Sequence, residues 1–145
     1  MRVALVRCAI DVPALLAEVG DEGSGATTLF LGTVRNVNDA RAVTGIDYSA
    51  YESMAVREMT RIAAEAAERF GTRHIAMEHR LGFLALAEVS IAIAVSHPRR
   101  APAMEASRYL IEEVKKRVPI WKREHYADGS REWVDPTRVA AEVRP

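Results

Sequence analysis

Residues 88–96 read EVSIAIAVS, and Val89, Ile91, Ile93 and Val95 alternate there with small side chains. A period of two is the geometry of a β-strand, whose successive side chains point to opposite faces. His74 to Leu81 repeats the pattern with Ile75, Met77, His79 and Leu81. The chain must therefore build a sheet. Two other stretches cannot join it. Ser53 to Phe70 is rich in Ala, Glu and Arg and is followed by Gly71, which predicts a helix with a glycine stop. Pro102 to Val118 predicts a second helix, ended by Pro119.

Shorter elements fill the gaps. Val3 to Val6 predicts a strand covered on both sides, and Asp11 caps a short helix with Leu15, Leu16 and Val19 facing inward. Thr27 to Val34 predicts a buried strand, residues 36–42 (NVNDARA) a loop, and Val43 to Ser49 another strand. Trp121 to Tyr126 and Arg131 to Val134 flank ADGS as a hairpin. Strands and helices do not alternate strictly, so the fold class is α+β, with a largely antiparallel sheet and packed helices. One domain is expected over residues 1–136, with a frayed tail over 137–145. At 145 residues and 49% hydrophobic content, roughly 70% of the unfolded chain's surface can be buried without metal or disulfide.

Charge narrows the function. Twenty basic and twenty acidic residues cancel, which excludes a protein that coats nucleic acid. No apolar run reaches the length of a membrane span and no signal peptide is read. Cys8, the single cysteine, has no disulfide partner. It is expected as a buried strand residue, in keeping with a reducing, cytoplasmic setting. HExxH, P-loop, GxGxxG and CxxC patterns are absent, so no metal or nucleotide cofactor is called for.

Within this neutral chain, residues 114–124 (VKKRVPIWKRE) hold five cations: Lys115, Lys116, Arg117, Lys122 and Arg123. On a helical wheel Met104, Ser107, Leu110, Ile111, Val114 and Val118 form the core face. Lys116 lies opposite them in solvent. Lys115 lies on the rim, either snorkelling or reaching into a groove. Lys122 and Glu124 alternate against Trp121 and Arg123. With Trp121 on the core, Lys122 is left at an edge or in a pocket. Arg35 follows a strand containing Gly32, which is read as a place of close approach by a partner or ligand. His97, Arg99 and Arg100 follow the IAIAV strand, and His79-Arg80 is read as a turn-flanking pair. Taken singly these are ordinary surface charges. Together, Arg35, Arg99, Arg100, Lys115, Lys122 and Arg123 would form a pocket for phosphate or carboxylate.

FLGTVRN (30–36), YESMA (51–55), HRLGFL (79–84), VKKRVPIWKRE and DGSREWV, in this order, resemble the catalytic (large) subunit of molybdopterin synthase over about residues 26–135. That resemblance implies an α+β fold with a hammerhead-like β element and a homodimer within a heterotetramer. It implies a small ubiquitin-like partner whose C-terminal Gly-Gly tail ends in a thiocarboxylate. It further implies sulfur transfer from that tail to cyclic pyranopterin monophosphate, building the dithiolene of molybdopterin. Lys115 and Lys122 are the implied catalytic residues. Thr33, Val34, Arg35, Arg99, Arg100, Arg123 and Glu124 are implied around the substrate, and His97 is a candidate for a histidine that usually stands where Arg99 does. Ala40 and Ala87 fall where glycine is common, so differently shaped loops are expected there. Arg138 is a candidate for reaching a neighbouring pocket. A reading from another class stays open: a non-catalytic adaptor whose basic groove binds an acidic peptide tail. A small RNA-binding domain is disfavoured by neutral charge and 6% aromatic content.

Overall fold

The computed structural model describes residues 1–134; the expected tail and Arg138 lie outside the described residues. Among these residues the chain forms three helices and nine strands. The first sheet has the order β1 (Arg2–Val6), β5 (Ile75–Arg80), β7 (Val89–His97), β2 (Ala26–Thr33), and only the β1–β5 pair is parallel. The second has β3 (Val37–Asn38), β4 (Arg41–Ala50), β8 (Ile120–Tyr126) and β9 (Arg131–Val134) in that order, with β6 (Gly82–Ala85) also paired to β4. The α+β class with mostly antiparallel pairing holds.

The alternation in β7 sorts side chains by size between two faces. Ile91, Ile93 and Val95 join Ile75 and Met77 in the main core, under α2 (Glu52–Phe70) and α3 (Arg100–Arg117). Ala92, Ala94 and Ala76 face the short α1 (Val12–Val19), whose Leu15 and Val19 fill the space the alanines leave. Asp11 caps α1 by accepting from the Ala14 amide at 3.1 Å. Gly71 ends α2 in the left-handed region at φ 72°, where glycine carries no Cβ penalty. No helix among the described residues is long and apolar enough to cross a membrane.

Several expectations need correction. Cys8 is exposed in a bend after β1, because the strand ends at Val6. β2 is an edge strand rather than a buried one, with Leu29 and Leu31 more than a third exposed. The close approach at Gly32 comes from the neighbouring strand: a Cβ there would sit 2.7 Å from Ile91 Cγ2. The loop at 36–42 contains β3, and its turn carries Asp39 and Ala40 at φ 48° and 61°. Ala87 sits at 68°, so both alanines take the backbone shape that glycine favours, at some strain. β6 was not expected. It is a short strand whose Phe83 packs where a Gly45 side chain would be, with ring atoms 2.5 and 2.6 Å from a Cβ built there.

On α3 the buried stripe is Ala103, Ala106, Leu110 and Val114, while Met104 is 61% exposed. Small residues let the helix lie close to the sheet, and closeness decided the face over hydrophobicity. The helix also begins at Arg100, two residues before Pro102. In β8 the interior takes Ile120, Glu124 and Tyr126. Trp121 lies on the opposite parity, against Tyr51 at 4.6 Å between ring centroids.

Candidate active site

α3 delivers Lys115 in its last turn, and the chain then reverses through Pro119 into β8, which carries Lys122. Cations in a helix's last turn complement its negative end. Lys115 lines a cleft with Tyr48, His79, Ile91, Val114, Val118 and Ile120. The cleft encloses about 20 Å³ of free space, room for a water molecule. Lys115 is exposed taken as a whole. The protein around its amine nevertheless lowers its pKa by desolvation, and the nearby Lys122 charge lowers it further.

Lys122 is held differently. Its Nζ lies 3.0 Å from Glu124 Oε1, and Glu124 is 1% exposed. Asn38 Nδ2 donates to the same oxygen at 2.7 Å, and the Tyr126 hydroxyl donates to Oε2 at 2.9 Å. Burial alone would raise the Glu124 carboxyl. The bonds from Asn38, Lys122 and Tyr126 outweigh it and hold the group below the usual carboxylate range. Burial, aided by this carboxylate, pushes the Tyr126 phenol up to about 12. Arg35 is exposed, and its Nη2 reaches Asn38 Oδ1 at 3.4 Å, which ties it to the same cluster. Glu124 is thus an anchor for Lys122, shut off from solvent.

The other candidates are parted from this cluster. Arg123 points to the far face of β8, where Asp47 Oδ2 accepts from its Nη2 at 3.2 Å and from His125 Nε2 at 2.6 Å. Burial raises Asp47 and these two partners outweigh it, leaving the carboxyl lowered. Arg99 and Arg100 are exposed at the start of α3. Fifteen residues of helix put them roughly 22 Å from Lys115. His97 is 7% exposed, and both its nitrogens are taken: Nε2 donates to the Phe70 carbonyl at 2.9 Å and Nδ1 accepts from the Arg99 amide at 2.9 Å. It supports the β7–α3 junction and has no nitrogen left for a substrate. Val34 is buried and Thr33 exposed beside Arg35.

One lining residue was missed. His79 is 4% exposed inside β5, meeting the Tyr48 ring edge-on at 5.1 Å. Burial lowers its pKa to about 4, opposed by its bond to the Arg80 carbonyl and reinforced by Lys115. The available signal was its phase: it shares the parity of Ile75, Met77 and Leu81. Among the described residues no group of three or more His, Cys, Asp or Glu is placed to hold a metal.

A profile of the MoaE protein family matches residues 5–117. The chain is 40% identical over 133 residues to a molybdopterin synthase catalytic subunit of Halalkalibacterium halodurans, covering 92% of this chain and 85% of that one. It is 44% identical over 118 residues to molybdopterin synthase catalytic subunit 1 of Aedes aegypti, covering 79% and 76%. Among solved structures, molybdopterin synthase from Staphylococcus aureus superposes with a TM-score of 0.84 at 31% identity, over 90% of this chain and 94% of that one.

Proposed function

Because this chain belongs to the MoaE protein family, we propose that the Lys115 cleft, with Lys122 nearby, is where sulfur passes from a small partner's thiocarboxylated Gly-Gly tail to cyclic pyranopterin monophosphate. The activity of the family is molybdopterin synthesis, a sulfur transfer in molybdenum cofactor biosynthesis. The observation that carries the reading is the contrast between two neighbouring amines. Lys122 is locked onto a buried carboxylate, whereas Lys115 is bonded to no side chain among the described residues and has a lowered pKa.

The contrast divides the work. Thiocarboxylate and cyclic phosphate are both anions, and fixed cations lower the cost of bringing them together. Lys122, with Arg35 tied in through Asn38, supplies standing positive charge. Lys115 yields its proton more readily and stands at the reacting carbon, as an amine or as a hydrogen-bond donor. In each transfer the sulfur gains a bond to a carbon of the pterin side chain as that carbon gives up its C–O bond, the oxygen leaving with a proton or with the phosphate, and the sulfur loses its bond to the tail's acyl carbon. Water supplies the oxygen with which the tail leaves as a carboxylate.

Arg99 and Arg100 sit too far away to touch a ligand held at Lys115 of the same chain. Their place at the substrate, which the resemblance implies, therefore requires the second protomer of a homodimer, whose α3 start would close the cleft mouth. With two partner tails this gives a heterotetramer. Incubating the protein with thiocarboxylated partner and cyclic pyranopterin monophosphate tests the reading. Formation of the dithiolene supports it, and tight binding of the tail without product supports the adaptor instead.

A further inference from the structure

Two polar groups in the Lys115 cleft complement each other. The Lys115 amine has no hydrogen-bond acceptor or ion-pair partner among the described residues; Lys122 and His79 are its electrostatic neighbours. His79 Nδ1 lies 2.9 Å from the Arg80 carbonyl oxygen. A carbonyl only accepts, so Nδ1 carries the ring proton and Nε2, on the opposite edge, keeps a lone pair. No donor among the described residues meets that lone pair. Both groups line one cleft, and apart from Tyr48 its remaining walls are aliphatic: Ile91, Val114, Val118 and Ile120. The nearby carboxylate, Glu124, is already taken by Lys122, Asn38 and Tyr126.

We propose that His79 is a positioning residue for Lys115: the two are not hydrogen-bonded in this structure, and the lysine side chain, turned toward the ring within the cleft that both line, donates to the free Nε2, which aims the amine at the cleft mouth. This rests on the reading of Lys115 as the amine at the reacting carbon. The charged and titratable groups around the ring are Tyr48 from β4 and Lys115 from α3, with Lys122 and Glu124 of β8 beyond the lysine. Arg80, next along β5, is paired with Glu88. Burial keeps the imidazole neutral at neutral pH, as an acceptor must be. A fixed acceptor stabilises the ammonium form and opposes the desolvation that lowers Lys115.

The test separates the two ring nitrogens. H79N keeps an N–H for the Arg80 carbonyl and removes Nε2, whereas H79Q reaches the Nε2 position with an amide oxygen. The Lys115 pKa is read from the pH dependence of its reductive methylation, followed by NMR. In H79N this pKa falls, and kcat for sulfur transfer drops about tenfold or more while KM for the partner holds. H79Q recovers most of both. An H79N protein with the wild-type Lys115 titration and kcat overturns the proposal. If H79N does not fold, the ¹⁵N shift of His79 Nε2 decides: it must differ between wild type and K115M, and identical shifts overturn the proposal. A wild type that transfers no sulfur, but whose Lys115 titration still shifts in H79N, sinks the proposed function and leaves this pairing standing.

Discussion

Glu124 Oε1 lies 3.0 Å from Lys122 Nζ, and the carboxylate side chain is 1% exposed while the lysine's is 23% exposed. A sealed anion thus tethers a cation whose charge is felt by Lys115. Both stem from one face of β8, two residues apart. E124Q keeps the shape and removes the charge, leaving Lys122 without its counter-ion. Breaking a buried pair from one side costs on the order of 3 kcal/mol, which urea unfolding at neutral pH measures. The Glu124 carboxyl is lowered in the fold. Its contribution is therefore full above the unfolded carboxylate pKa and is lost as pH falls through the folded value. E124Q should erase that part of the acid limb, and an unchanged limb would count against the tether.

Lys115→Ala should cost about a hundred- to thousandfold in sulfur transfer, the scale of losing one well-placed group at a reacting centre. Affinity for the thiocarboxylated partner should change little, because the tail's other cations remain. Single-turnover product formation together with titration calorimetry checks both halves. A variant with near-normal turnover removes Lys115 from the chemistry.

His79 predicts a pH-dependent stability of its own. Its folded pKa of about 4 lies below the ordinary value of 6.5, so the unfolded chain binds the proton more readily. The contribution is complete above 6.5 and drains away as pH falls toward 4, for a total on the order of 3 kcal/mol. Urea midpoints of wild type and H79Q should converge across that window and stay parallel above it.

Separation of Arg100 from Lys115 along α3 makes a prediction about protomer mixing. K115A and R99A/R100A should each be inactive. Refolded together at equal amounts they should recover roughly a quarter of wild-type activity, since half the dimers are mixed and one of their two sites is intact. No recovery would mean that the arginines serve the same chain's lysine or none.

Gly45→Ala should destabilise the second sheet. The added methyl would overlap the Phe83 ring and lie 3.0 Å from the Leu84 carbonyl oxygen. Overpacking of this kind costs about 1–3 kcal/mol. A G45A/F83A double variant should recover part of it, as thermal unfolding will show.

Much of this architecture was legible because it is local. The alternation in β7, the Gly71 stop, the Asp11 cap and the ADGS hairpin are each written within a few residues. What escaped depends on distant packing. Trp121 looked like the core residue of its strand, yet the interior parity belongs to Ile120, Glu124 and Tyr126, because Asn38 and Tyr126 satisfy a buried carboxylate that sequence spacing cannot foresee. Met104 outranks Ala103 in hydrophobicity, yet a helix pressed against a sheet takes the alanine. His79 had its inward phase in plain view. That it faces Lys115 is set by how α3 lies on the sheet. His97 had the right chemistry for a site, but its ring is consumed by backbone groups of two other elements.

The pairing of β1 with β5 joins Arg2 to Ala76 and Val6 to Arg80. On a ribosome adding about 5–20 residues each second, the first strand waits several seconds before its neighbour emerges. The lysine-bearing β8 comes later still. The two amines therefore meet their companions on β3, β4 and β5 only after α3 and β8 have been made, and a nascent chain cut short before β8 lacks both Lys122 and the Glu124 carboxylate that tethers it.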